Sequence, residues 1–177
     1  PPKKKEVKTI VEEEFQNYKK EKNKNIKIIV FSQFRETAAT ICKNLNSLEG
    51  VNARVFIGQA KRGDSGLSQK EQKQIIDQFR QGKINIICAT SIGEEGLDIP
   101  EVNAVYFYEP IPSAIRKIQR AGRTARLQPG KLFILITKDT RDVAFHYASS
   151  AKERKMHHAI DKVKQDLKKE KTLKDFI

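Results

Sequence analysis

Five apolar runs of strand length, none of them alternating, limit most strongly what this chain can fold into. They are "IKIIVF" (Ile26–Phe31), "ARVFI" (Ala53–Ile57), "INIICA" (Ile84–Ala89), "AVYFY" (Ala104–Tyr108) and "KLFILI" (Lys131–Ile136). A strand that is apolar on both faces must be covered on both faces. Helical patterns fill most of the gaps, over 7–20, 36–48, 69–81, 114–121 and 141–171. Strand–helix alternation of this kind predicts an α/β fold: a parallel sheet with helices on both faces.

At 177 residues the chain can bury a full core without disulfides or metals. We divide it into a lead-in helix over 1–24, a sheet domain over 25–150 and a basic helical extension over 151–177. Cys42 and Cys88 read as small core residues in a reducing compartment, and no metal-ligand spacing is present. No apolar run approaches a membrane span and no signal peptide is visible, so no membrane partner is expected. The opening residues PPKKKEV contain no initiator Met, and the chain is expected to be excised from a longer one.

The net charge of +13 attracts polyanions, nucleic acid first. The alternative is a solvated Lys-rich surface. In open parallel sheets, ligands sit beyond the carboxyl ends of the strands. The stretches leaving those ends ("SQFRE", "GQAKRGDSGLSQ", "TSIGEEGLDIP" and "EPIPSAIR") hold much of the Gly, Ser, Thr and charge.

"IQRAGRTAR" (Ile118–Arg126) places Arg120, Arg123 and Arg126 within seven positions, and no Asp or Glu lies between Glu109 and Asp139. Guanidinium is the group of choice for bidentate phosphate recognition, so an anionic ligand is the simplest explanation. A surface cluster fanned into water, or paired with Glu94 and Glu95, is the competing one.

Gln119, Gly122, Arg123 and Arg126 form Q-x-x-G-R-x-x-R, which resembles motif VI of superfamily 2 helicases. "CATSIGEEGLDIPEV" (Cys88–Val102) resembles motif V, "IIVFSQFRETA" (Ile28–Ala38) motif IV, and Phe56–Phe79 a connecting motif of one branch. That branch contains the archaeal helicase-associated endonuclease for fork-structured DNA (Hef) and the Fanconi anaemia group M translocase. The order and spacing match from about Val7 to Lys155.

The resemblance implies a RecA-like helicase C-terminal lobe, the second motor lobe of an ATP-dependent DNA helicase or translocase acting on forked or branched DNA. ATP and Mg²⁺ would be shared with a first RecA-like lobe. This chain has no G-x-x-x-x-G-K-[ST] and no D-E-x-H, so alone it is expected to be inactive as an ATPase. Carried over residue by residue, Arg126 would be the finger on the γ-phosphate, Arg123 its partner, and Gln119 the group that orients water or bonds the phosphate region. Gly96 and Asp98 would line the nucleotide. Thr90 would hold a DNA phosphate through its hydroxyl and N–H, with Ser32, Gln33, Arg35, Gln59 and Gln69 further along the same track. Taken singly, each of these also suits a capping or turn role.

Ala125 stands where the family usually has Gly, which puts the placing of Arg126 in question if that position needs positive φ. "ERK" at Glu153–Lys155 with Asp161 is similar to a fused nuclease signature. Five residues intervene instead of three, and no nuclease is expected here. In the full-length protein the resemblance extends to a C-terminal nuclease domain and a homodimer. The setting would be intracellular, cytoplasmic if archaeal and nuclear if eukaryotic. Two alternatives remain at this point: a stand-alone nucleic-acid-binding or regulatory module, and a lobe of a related RNA-sensing helicase.

Overall fold

The computed structural model describes residues 2–20, 26–58, 66–90, 100–110, 131–152, 154–155 and 158. Five parallel strands form one sheet in the order β2-β3-β1-β4-β5. They are β1 (Ile28–Phe31), β2 (Ala53–Phe56), β3 (Ile86–Ala89), β4 (Ala104–Phe107) and β5 (Lys131–Ile134). The predicted parallel α/β sheet is therefore present, each strand being a little shorter than its apolar run.

Position in the sheet explains composition. β1, β3 and β4 occupy the middle, and every one of their residues is buried. The edge strands carry the polar positions: β2 exposes Arg54, and β5 begins with exposed Lys131. Register is in phase across the sheet, with Phe31 beside Ala89 and Phe107, and Ala89 beside Phe56.

Strand alternation divides the core in two. One face sends Ile28, Val30, Cys88 and Tyr106 against α1 (Pro2–Lys20) and α2 (Arg35–Leu45). The other sends Ile29, Phe31, Ile87 and Phe107 against Ile76 and Phe79 of α3 (Gln69–Arg80). Helices thus cover both faces, as predicted. Residues 141–152 are helical and form α4.

The lead-in helix is part of this core. Val7, Val11 and Phe15 are buried with the sheet residues. Glu14 is buried and takes both oxygens to Lys131 Nζ, at 2.9 and 3.1 Å. Near its start, Lys3 pairs with Asp142 of α4 and donates to the Tyr108 carbonyl at 3.0 Å. α1 therefore runs against the strands, from their carboxyl edge to their amino edge.

At the amino edge, asparagines close the connections. Asn103 accepts from the Lys27 N–H at 2.7 Å, Asn85 from Asn52 N–H at 2.8 Å, and Asn46 from Ala53 N–H at 2.8 Å. The Asn46 bond also explains why α2 stops at Leu45 and not at Leu48, where the apolar pattern runs out. α3 ends before Gly82, whose φ of 77° suits a residue without a side chain. Cys42 and Cys88 are both buried and free, and a hydrogen bond with Cys42, followed by burial, holds the Cys88 thiol above its ordinary range.

Candidate nucleic-acid and nucleotide edge

At the carboxyl edge the chain leaves three adjacent strands at one level. Ser32 donates its N–H to Ala89 O at 3.0 Å, Tyr108 donates to Phe31 O at 2.8 Å, and Thr90 donates to Phe56 O at 3.3 Å. In-phase register thus gathers Ser32, Thr90 and Tyr108 although they are far apart in sequence.

Ser32 is buried, and its hydroxyl donates to the Phe34 carbonyl at 3.1 Å, so it tightens the turn into α2. Gln33 is exposed, with its N–H donated to Glu109 Oε2 at 3.0 Å. Arg35 is half-buried and opens α2. The N–H of Thr90, expected to serve a phosphate, is taken by Phe56. Its hydroxyl is buried and has no hydrogen-bond partner among the described residues. A buried hydroxyl without a partner costs about 1–3 kcal/mol, and among the described residues Thr90 shares this state with Tyr106 and Ser149.

Gln69 is the first residue of α3 and is exposed. Its neighbour Ser68 caps the helix: the Ser68 hydroxyl accepts from Glu71 N–H at 3.3 Å, and Glu71 accepts from Ser68 N–H at 2.8 Å. The Ser68 hydroxyl, which donates to Glu71 Oε2 at 2.7 Å, and then the Ser68 N–H hold the Glu71 carboxyl below its usual range. Gln72 anchors the same helix end by donating to Ile57 O, just past β2. Gln69 therefore stands at the carboxyl edge as well, on the opposite face from α2. Gln59, Gly96, Asp98, Gln119, Arg123 and Arg126 lie outside the described residues, as does Ala125.

Beyond the Tyr108 end, a groove of about 430 Å³ lies between α1 and the chain after β5. Its lining includes Lys3, Glu6, Ile10, Thr137 and Lys138. Burial, with Glu109 and Asp142 nearby, pushes the Tyr108 hydroxyl up. Among the described residues no group of three or more His, Cys, Asp or Glu side chains converges to hold a metal. No described helix is long and apolar enough to cross a membrane.

Two features of the edge were not singled out from sequence. Glu109 bonds across to the turn after β1, a contact between residues 76 apart. Phe34, 61% exposed, sits at the N-cap of α2 without a side-chain capping bond. A large apolar residue where Ser, Thr, Asp or Asn is preferred was the available signal.

The model of the helicase conserved C-terminal domain matches residues 5–128. The chain is 39% identical over 152 residues to the ATP-dependent DNA helicase fml1 of Schizosaccharomyces pombe, covering 85% of this chain and 18% of that protein. It is 46% identical over 140 residues to "Putative ATP-dependent RNA helicase MJ1505" of Methanocaldococcus jannaschii, covering 79% and 18%. Among solved structures it resembles the Pyrococcus furiosus Hef helicase domain, with 48% identity and a TM-score of 0.66, over 84% of this chain and 29% of that one. The chain thus spans less than a fifth of the length of these two curated relatives.

Proposed function

This chain belongs to the helicase conserved C-terminal domain family and has the RecA-like fold of that lobe; from that premise we propose that it is the second motor lobe of an ATP-dependent DNA helicase or translocase working on forked or branched DNA. The observation that carries the reading is the carboxyl edge itself. Ser32, Gln33, Arg35 and Thr90 meet there, and the chain leaves it at Thr90 toward Gly96 and Asp98, and at Pro110 toward Gln119, Arg123 and Arg126. One edge thus feeds both the candidate nucleic-acid track and the candidate nucleotide residues.

In this reading ATP and Mg²⁺ are held chiefly by a first lobe, which supplies the phosphate loop and the metal-binding carboxylates. Mg²⁺ with ATP supplies charge neutralisation during phosphoryl transfer. This chain's contribution is cationic and positional. Arg126 and Arg123 place guanidinium charge against the γ-phosphate, where negative charge grows in the transition state. Gln119 orients the attacking water, Asp98 accepts from ribose hydroxyls, and Gly96 lets the backbone approach the nucleotide. Thr90, Gln33, Arg35, Gln59 and Gln69 contact the DNA backbone, which holds register without reading sequence.

Arg126→Ala, made in the polypeptide that carries both lobes, tests this. DNA-stimulated ATP turnover is expected to fall on the order of 10³-fold or more, as for fingers of this type, with DNA affinity nearly unchanged. Normal turnover in that variant overturns the assignment. The name of the Methanocaldococcus relative favours a second reading, in which the nucleic acid is RNA. Competition between forked DNA and duplex RNA at one stated salt concentration separates the two.

A further inference from the structure

We propose that Phe34 is a base-stacking platform, on which an unpaired nucleobase rests while the neighbouring edge groups hold the backbone. The inference rests on the nucleic-acid reading above and adds to it a residue and a ligand group.

Three observations point to the ring. First, it is exposed where exposure has no folding purpose: 61% of Phe34 faces solvent, whereas Phe15, Phe31, Phe56, Phe79 and Phe107 are buried. Second, it occupies the N-cap of an eleven-residue helix with φ −113° and ψ 142°, yet gives no capping bond. α3, by contrast, has Ser68 at its N-cap in a reciprocal capping box. Choosing Phe over Ser at such a position forfeits helix stability, and local rules are broken in this way chiefly at functional sites. Third, an independent polar group lies at the same edge, level with Ser32 and two residues short of the ring. Thr90 is 3% exposed, its hydroxyl is unpartnered among the described residues, and it follows Ala89, the register partner of Phe31.

The ligand class follows from chemistry. An aromatic face flanked by Gln33 and Arg35, on a chain of net charge +13, suits a partner that is planar, apolar on its face and anionic along its backbone. Single-stranded nucleic acid has that combination, and stacking on an aromatic ring tolerates any base. Ser32 supports the platform, because its hydroxyl bond to the Phe34 carbonyl fixes the backbone that carries the ring.

The test uses the 177-residue chain and a short single-stranded DNA oligonucleotide carrying 2-aminopurine, whose fluorescence is quenched on stacking. Wild type is expected to bind with salt-dependent affinity and to quench. Phe34→Ala and Phe34→Leu are expected to lose the quench and weaken binding on the order of tenfold, and Phe34→Trp to retain both. Phe34→Ser should show the same loss of binding together with a higher melting temperature, a pairing that a purely structural ring would reverse. Unchanged quench and affinity in Phe34→Ala, with wild type binding normally, overturn the platform and leave the nucleic-acid reading intact; a ring that serves a protein partner gives this result. Failure of wild type to bind the oligonucleotide overturns both.

Discussion

Thr90→Val separates a residue kept for folding from one kept for a ligand. The substitution preserves the branched shape and replaces the hydroxyl by a methyl group. In the native fold that hydroxyl is buried without a partner among the described residues, while the Thr90 N–H is already bonded to Phe56 O. Removing a buried unsatisfied hydroxyl returns its desolvation cost of about 1–3 kcal/mol, less any strain from fitting the methyl group. We expect a net stabilisation of about 1 kcal/mol. For a chain of this size that raises the melting temperature by about 2–4 °C. With a urea slope near ~2 kcal/mol/M, the midpoint moves up by about 0.5 M with the slope unchanged. DNA affinity should move the other way. A hydrogen bond to a charged phosphate contributes about 1.5–3 kcal/mol, so binding should weaken roughly tenfold or more. Thr90→Ser, which keeps the hydroxyl, should lose a little stability and keep its affinity. A Thr90→Val chain that is less stable than wild type by 1 kcal/mol or more refutes the reasoning, because it means that the hydroxyl is bonded in the fold.

Other expectations follow from contacts away from the edge. Phe15→Ala should cost about 3–5 kcal/mol by urea unfolding, as for a buried aromatic truncated in a core; a loss below 1 kcal/mol would mean that α1 is dispensable. Lys131→Met leaves the Glu14 carboxylate buried without its partner and should cost about 1–3 kcal/mol at neutral pH, discounted because Lys131 is half exposed. Asp142 is drawn below the ordinary carboxylate range: burial opposes this, but the bonds from Lys3 and the Thr137 N–H outweigh it. A depressed value means that the unfolded chain takes up the proton first. The stabilisation is therefore full above about pH 4–5 and is lost as pH falls through the native value. Unfolding midpoints of wild type and Asp142→Asn should accordingly converge as the pH falls below the ordinary carboxylate range, and a gap that stays constant with pH counts against the pairing.

The sheet was legible in sequence because its central strands are sandwiched. "IIVF", "IICA" and "AVYF" have no polar position to interrupt them, and the fold covers both their faces. Helix ends were less legible. α1 begins at Pro2 and not near Val7, since the Lys-rich first turn has no apolar period and Pro is tolerated there. The candidate edge was readable as residue types, with Ser32, Gln33, Arg35, Thr90 and Gln69 all standing at it. Their availability was not readable. The Thr90 N–H and the Ser32 hydroxyl are spent on neighbours that sequence spacing does not reveal, and Glu109 reaches Gln33 across 76 residues. Phe34 was hidden by its own motif, because a helix start is usually searched for polar caps and not for rings.

The ties made by α1 have a consequence for how the domain is born. Lys3 meets Asp142 across 139 residues, and Glu14 meets Lys131 across 117. A ribosome delivers the first helix long before the last strand, so its apolar stripe can dock on β1 and α2 early while its charged groups wait for later arrivals. Final locking is then a late, long-range event, and a nascent chain stopped before β5 carries a carboxylate with nowhere to settle.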